Sequence, residues 1–119
     1  MFRNLRLVYV TTKDREEARK IGAAMVEEKL AACANIIDGM ESIYRWEEKV
    51  ETGKETVLIL KTTYNNITKL TRRIKELHSY DVPAIVSINL AEQEGNAEYL
   101  NWVVHSVLKP IQSDEDSFI

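Results

Sequence analysis

The stretch SIYRWEEKVETGKETVLILKTT, Ser42 to Thr63, decides the fold. Its two halves are rich in β-branched and aromatic residues and are joined by a turn-forming segment, so it reads as two long strands of one hairpin. The turn is expected at Glu51-Thr52-Gly53-Lys54, because Gly53 can take a positive φ. With the first strand running on to Val50, the pleat sends Ile43, Arg45, Glu47 and Lys49 to one face and Tyr44, Trp46, Glu48 and Val50 to the other. A two-stranded ribbon is marginal alone and must pack against something.

Outward from the hairpin the elements alternate. LRLVYVTT, Leu5 to Thr12, is apolar on both faces apart from Arg6, as in an interior strand. Asp14 followed by Glu17 is an Asp variant of the capping box, and Ala18, Ile21, Gly22, Met25 and Val26 recur at helical spacing, predicting a helix to about Leu30. Ala31 to Ile37 is extended, and Asp38-Gly39 marks a bulge or kink, not a stop. After Thr63, Asn65 or Asn66 caps a second helix whose Ile67, Leu70, Ile74 and Leu77 form one stripe, with His78 at its end. Pro83 to Leu90 is a fourth strand, proline being confined to its first position. Gly95-Asn96 opens a third helix with Tyr99, Leu100, Val103, Val104 and Val107 on its apolar face and Pro110 at its end.

This order predicts an α+β fold, the ferredoxin-like βαββαβ split-βαβ sandwich, with a long central hairpin and an extra C-terminal helix. The 119 residues suit a single domain, taken as 1–112, with an acidic flexible tail at 113–119. Sixteen Lys and Arg against nineteen Asp and Glu give a net charge of −3, which supplies no basic field for nucleic acid. No apolar run reaches the roughly 20 residues of a membrane span, so no membrane partner is expected. A single cysteine and no signal-like N-terminal segment predict a cytoplasmic protein. The hairpin is longer than two ordinary helices can cover, so it is expected to meet other copies of the chain, with Tyr44 and Trp46 at the interface.

VYVTT (8–12), EKLAACANI (28–36), SIYRWEEKV (42–50), LKTT (60–63), LHSYDVPAI (77–85) and YLNWV (99–103) together resemble the CutA family of divalent-cation tolerance proteins, over nearly the whole chain. The resemblance implies a cytoplasmic homotrimer linked to copper tolerance, which binds copper or another divalent metal ion, uses no organic cofactor and catalyses no reaction. It also implies polar residues gathered at clefts between subunits. Cys33 matches the cysteine of the Ala-Ala-Cys motif, Trp46 and Glu47 the Tyr-x-Trp-Glu motif, Lys61 the Lys-Thr pair, and His78 and Tyr80 the His-Pro-Tyr motif. Three positions depart from the family pattern: Ser79 replaces a proline, Glu48 a glycine, and Ala84 a glutamate that would be an oxygen ligand. Val10 stands where some relatives carry a second cysteine.

Each singled-out residue has a structural reading beside the functional one. Cys33 is a soft ligand for Cu(I) or Zn, or a buried small hydrophobe between Ala32 and Ala34. His78 is an imidazole ligand, or a histidine that complements the negative end of its helix. His105 has no local partner at metal-motif spacing and reads as a surface or cap residue. Tyr44, Arg45 and Trp46 suggest base stacking, but adjacent strand residues face opposite ways, and an aromatic interface anchor fits better. Glu47 and Lys61 are a cross-strand ion pair or a ligand-binding pair. Cys33 with His78 could be a catalytic pair only within hydrogen-bond reach. The alternative function is a ligand-sensing or scaffold trimer, whose intersubunit clefts, through Lys61 and Tyr80, hold a small anionic molecule or an unknown partner protein.

Overall fold

The computed structural model describes residues 3–108, so the acidic segment 113–119 and Pro110 lie outside the described residues. The elements are β1 (Leu5–Thr12), α1 (Arg15–Glu27), β2 (Cys33–Trp46), β3 (Lys49–Thr63), α2 (Ile67–Leu77), β4 (Ile85–Asn89) and α3 (Ala97–Val107). They form one antiparallel sheet in the order β2-β3-β1-β4, the ferredoxin-like arrangement.

Local chemistry accounts for most element ends. Asp14 Oδ1 accepts the Glu17 N–H at 2.8 Å, while the Glu17 carboxylate accepts from Lys13 N–H instead of returning to Asp14. The first helix stops at Glu27, earlier than the sequence predicts, because Lys29 takes a left-handed φ of 61° and turns the chain. Asn66 sits at the N-cap of α2 behind a short 3₁₀ turn, but its side chain bonds Thr63 Oγ1 and caps nothing. Asn96 does cap α3, accepting from the N–H groups of Glu98 and Tyr99. The bulge expected at Asp38-Gly39 is present: the β2–β3 register slips between Ile37 and Met40, with Gly39 at φ 80°.

The hairpin turn differs from expectation. Trp46 pairs with Lys49, so the connection is the two-residue loop Glu47-Glu48, both at positive φ (50° and 69°), and Glu51 to Lys54 are ordinary rungs of β3. Two successive left-handed residues match the right-handed twist of the flanking strands, and that requirement overrides the local preference for glycine. As a consequence Val50 lies opposite Arg45, on the face away from Tyr44 and Trp46.

One sheet face packs under α1 and α2, burying Val8, Val10, Leu58 and Leu60 against Ile21, Met25, Leu70 and Ile74. Gly22 makes this possible on α1, since a Cβ there would stand 3.0 Å from Ala34 Cβ. On the other face α3 covers only one end, where Val103 and Val107 meet Leu5 and Ala32. The rungs beyond it, Val86-Tyr9-Ile59-Asn35 and Thr11-Val57-Ile37, carry no helix. β1 pairs with β3 only as far as Thr56, so Lys49 to Glu55 and their β2 partners project as a bare ribbon, about 20 Å at strand rise.

Glu48→Gly is expected to relieve the left-handed strain at the tip. A non-glycine residue there costs about 1–2 kcal/mol and glycine's extra unfolded freedom returns part of it, leaving a gain of about 0.5–1 kcal/mol. Urea unfolding at fixed chain concentration should show a higher midpoint; a lower one would mean that the Glu48 side chain has a stabilising role at the tip.

Candidate functional site

The sheet carries polar clusters at two separate places. The first forms where α2 ends. His78 caps that helix, its N–H bonded to Ile74 O, and its ring turns away from the helix carbonyls toward β1. Nε2 lies 2.8 Å from Thr11 O and Nδ1 is 3.1 Å from the Tyr80 backbone N. A carbonyl can only accept and an amide N–H can only donate, so the proton sits on Nε2 and the Nδ1 lone pair is taken. The side chain is fully buried, with Glu17 Oε2 at 3.9 Å from Nδ1.

Glu17 binds the same turn from α1, accepting Ser79 N–H at 2.7 Å and Lys13 N–H at 3.0 Å. Burial pushes its carboxyl up, but the Lys13 and Ser79 hydrogen bonds outweigh burial and hold it below the usual carboxylate range. Tyr80 packs on the His78 ring at 4.7 Å between centroids and donates its hydroxyl to Glu55 of the ribbon at 2.8 Å. Burial and the Glu55 carboxylate raise the Tyr80 phenol far above its ordinary range, so it stays a donor. These contacts tie α1, α2, β1 and the ribbon base together.

The second cluster lies on the other sheet face, beside α3. Cys33 and Lys61 are register partners, and both reach Tyr99: its hydroxyl is 3.7 Å from Cys33 Sγ and 3.1 Å from Lys61 Nζ. The ammonium also lies 5.2 Å from the Tyr99 ring centre, and Tyr99 stacks with Trp102 at 5.6 Å. The Tyr99 hydrogen bond favours the charged form of Lys61 and raises its pKa, against the effect of burial. Sequence periodicity placed Tyr99 in the apolar face of α3 and left Trp102 unassigned. Their spacing of three, one helical turn, was the signal that they meet.

The structure therefore joins Cys33 to Lys61, and His78 to Tyr80, but keeps the pairs apart. Lys61 pairs with Leu7 whereas His78 reaches Thr11, about 13 Å further along β1, and Cys33 lies two strands across from β1. Cys33 and His78 thus share neither a metal, which needs ligands within about 2.3 Å of one point, nor a catalytic hydrogen bond. Among the described residues no three His, Cys, Asp or Glu side chains converge to hold a metal ion. Glu47 sits at the hairpin tip, with all of β2 between it and the Cys33–Lys61 rung, so within one chain Glu47 and Lys61 form neither a cross-strand ion pair nor a shared ligand-binding pair. Tyr44 and Trp46 lie half-exposed on the ribbon, and His105 is exposed in the last turn of α3.

Sheet order, helix placement and the projecting ribbon define a ferredoxin-like α+β protein with an extended central hairpin. The chain belongs to the CutA1 divalent ion tolerance protein family, which matches it over residues 6–106. It is 48% identical over 97 residues to the divalent-cation tolerance protein CutA of Thermus thermophilus, covering 82% of this chain and 92% of that one. It is 41% identical over 100 residues to the chloroplastic protein CutA 1 of rice, covering 84% of this chain and 55% of the relative. Among solved structures it resembles the divalent ion tolerance protein CutA1 of Ehrlichia chaffeensis, with a TM-score of 0.82 and 35% identity, covering 92% of this chain and all of that one.

Glu17→Gln tests the first cluster. A carboxyl whose folded pKa is depressed adds stability above its unfolded value, near 4.5, and loses it as pH falls through the lower folded value. The variant should be about 1–2 kcal/mol less stable than the parent at pH 7, with the gap closing as the pH falls below 4. Unfolding curves at both pH values, showing an unchanged gap, would contradict the arrangement.

Proposed function

We propose that this chain is a cytoplasmic homotrimer serving tolerance to divalent cations, copper among them, and catalysing no reaction. Membership of the divalent ion tolerance family supports the role. The observation that carries the trimer is the sheet's unshielded apolar surface. Ile37, Val86 and Ile88 are half-exposed on the face α3 leaves bare, and Ile43 and Val50 on the ribbon are 69% and 62% exposed. Antiparallel sheets that face water carry polar residues outward, so a face with these side chains calls for a protein cover. Tyr44 and Trp46 would anchor that contact, and the ribbon's free β2 edge would extend a sister chain's sheet. A net charge of −3 argues against a nucleic-acid partner, and no helix among the described residues is long and apolar enough to cross a membrane.

Direct metal contact fits Cys33 better than His78. The thiol is partly exposed and suits a soft ion, whereas both His78 ring nitrogens are engaged. A second reading, a small anion held in an intersubunit cleft, is favoured by Lys61. Among the described residues this ammonium has the Tyr99 hydroxyl as its partner and no carboxylate within ion-pair distance. Tyr80, the other residue proposed for that anion, instead faces Glu55.

Calorimetric titration of Cu(I), Cu(II) and Zn(II) is expected to show saturable binding that Cys33→Ser abolishes and a folded His78→Ala retains; absence of binding in the parent contradicts direct metal contact. Trp46→Ala is expected to shift the assembly toward smaller species on dilution, by about tenfold or more in dissociation constant, while leaving metal binding in place. Unchanged assembly in dilute gel filtration would remove Trp46 from the interface.

A further inference from the structure

Helix α2 carries Lys69, Arg72, Arg73 and Lys75 against Glu76 as its one acid, in a chain whose net charge is −3. It packs on the helix-covered face of the sheet, with Leu70 and Ile74 inward, so its outer side stands apart from the bare face and the ribbon assigned to sister chains. A groove of about 240 Å³ runs between α2 and the end of α1, lined by Glu28, Leu30, Lys69, Arg72, Arg73 and Glu76. Arg73 is spent inside it, bonding Glu28 at 3.0 Å and Glu76 at 3.1 Å. Arg72 also lines a second, more open groove on the outer side of the helix, together with Lys75 and Thr71.

Lys69, Arg72 and Lys75 therefore follow one another along the exposed side of α2 at spacings of three, about one helical turn. Among the described residues none of the three has a carboxylate within ion-pair distance. The sequence holds a run of the opposite sign, Asp114-Glu115-Asp116, outside the described residues. The described chain reaches Leu108, one residue beyond α3, and α3 ends beside Leu5 and Ala32. Ala32 is two residues, at most about 7 Å of chain, from Leu30 on the wall of the groove. Six residues carry the chain from Leu108 to Asp114, an extended reach of about 20 Å, enough to round the end of the sheet from α3 to Lys69. Asp114 to Asp116 then spans about 7 Å more, in step with the rise of α2 from Lys69 toward Lys75.

We propose that the exposed side of α2 is a docking surface for the acidic run Asp114-Glu115-Asp116 of the same chain, received by Lys69, Arg72 and Lys75. An exposed ion pair is weak alone, but a tether of six residues holds the three acids at an effective concentration in the millimolar range, so that several weak pairs act together. Contacts of this kind are screened by salt, which makes the docking a function of ionic strength. While docked, the run would deny the same cations to any other acidic partner. The inference does not rest on the trimer or on metal binding.

The test compares amide spectra of the isotope-labelled full chain with those of the triple variant Asp114→Asn, Glu115→Gln, Asp116→Asn at low ionic strength. The expected result is a set of shifts in α2 centred on Lys69, Arg72 and Lys75, lost in about 0.5 M sodium chloride, with the rest of the spectrum unchanged. Lys69→Gln combined with Arg72→Gln should in turn shift the amides of Asp114 to Asp116. Unchanged α2 amides in the triple variant overturn the proposal, as do shifts that persist in high salt or that spread evenly over the lysines and arginines of α1 and the ribbon. Refolding labelled triple-variant chains with unlabelled parent chains checks whose segment docks. Spectra that stay those of the variant support docking within one chain; α2 shifts restored to the parent's would assign the contact to a sister chain and overturn it.

Discussion

The register of the central hairpin sets everything else. With Trp46 opposite Lys49 and a two-residue turn at Glu47-Glu48, β2 and β3 run far past the last rung that β1 can join, Thr12 with Thr56. A single antiparallel pair has only its own cross-strand contacts to hold it and presents two free edges. The bulge between Ile37 and Met40 bends this ribbon where it leaves the sheet, and Asp38 at the bend accepts from Gly39 N–H and Thr56 Oγ1. The Tyr80–Glu55 hydrogen bond then fastens the ribbon's base to the turn after α2. The projection is therefore an anchored arm that holds its apolar side chains in place and exposed.

The same topology explains why the polar residues fall into two groups. Helices α1 and α2 occupy one face, and the turn leaving α2 must return past the end of β1, which puts His78, Glu17 and Tyr80 there. On the opposite face α3 crosses the sheet near Leu5 and brings Tyr99 over Cys33 and Lys61. Through its two ring nitrogens His78 ties the end of α2 to β1 and to the turn that follows, which is architectural work. Cys33 and Lys61 lie on the face that α3 covers at one end, where the Tyr99 hydroxyl reaches both.

Much of this was legible in the sequence, because the signals were local. Asp14 before Glu17, the Ile67-Leu70-Ile74-Leu77 stripe, the Asp38-Gly39 bulge and the β-rich Leu5–Thr12 segment each carry their own chemistry. The turn was not legible, since Gly53 offered the local preference and Glu47-Glu48 offered none; pairing along the whole length of β2 and β3 fixed it instead. That one displacement moved Val50 to the other face and carried Glu47 out of reach of Lys61. Cys33 and His78 belong to motifs that stand together in a family pattern, yet how far apart two residues lie across a sheet depends on strand order, which no local signal reports. Tyr99 looked like core because a helical stripe records which side faces the sheet, not which polar atoms wait beneath it.

The central claim is that the ribbon and the bare sheet face are completed by sister chains. Multi-angle light scattering of the purified chain across a dilution series tests it most directly. The account predicts a mass of three times 13.7 kDa, about 41 kDa, held until high dilution. A mass of one chain at every concentration would contradict it and leave the exposed Ile43, Val50 and Val86 without the cover they require.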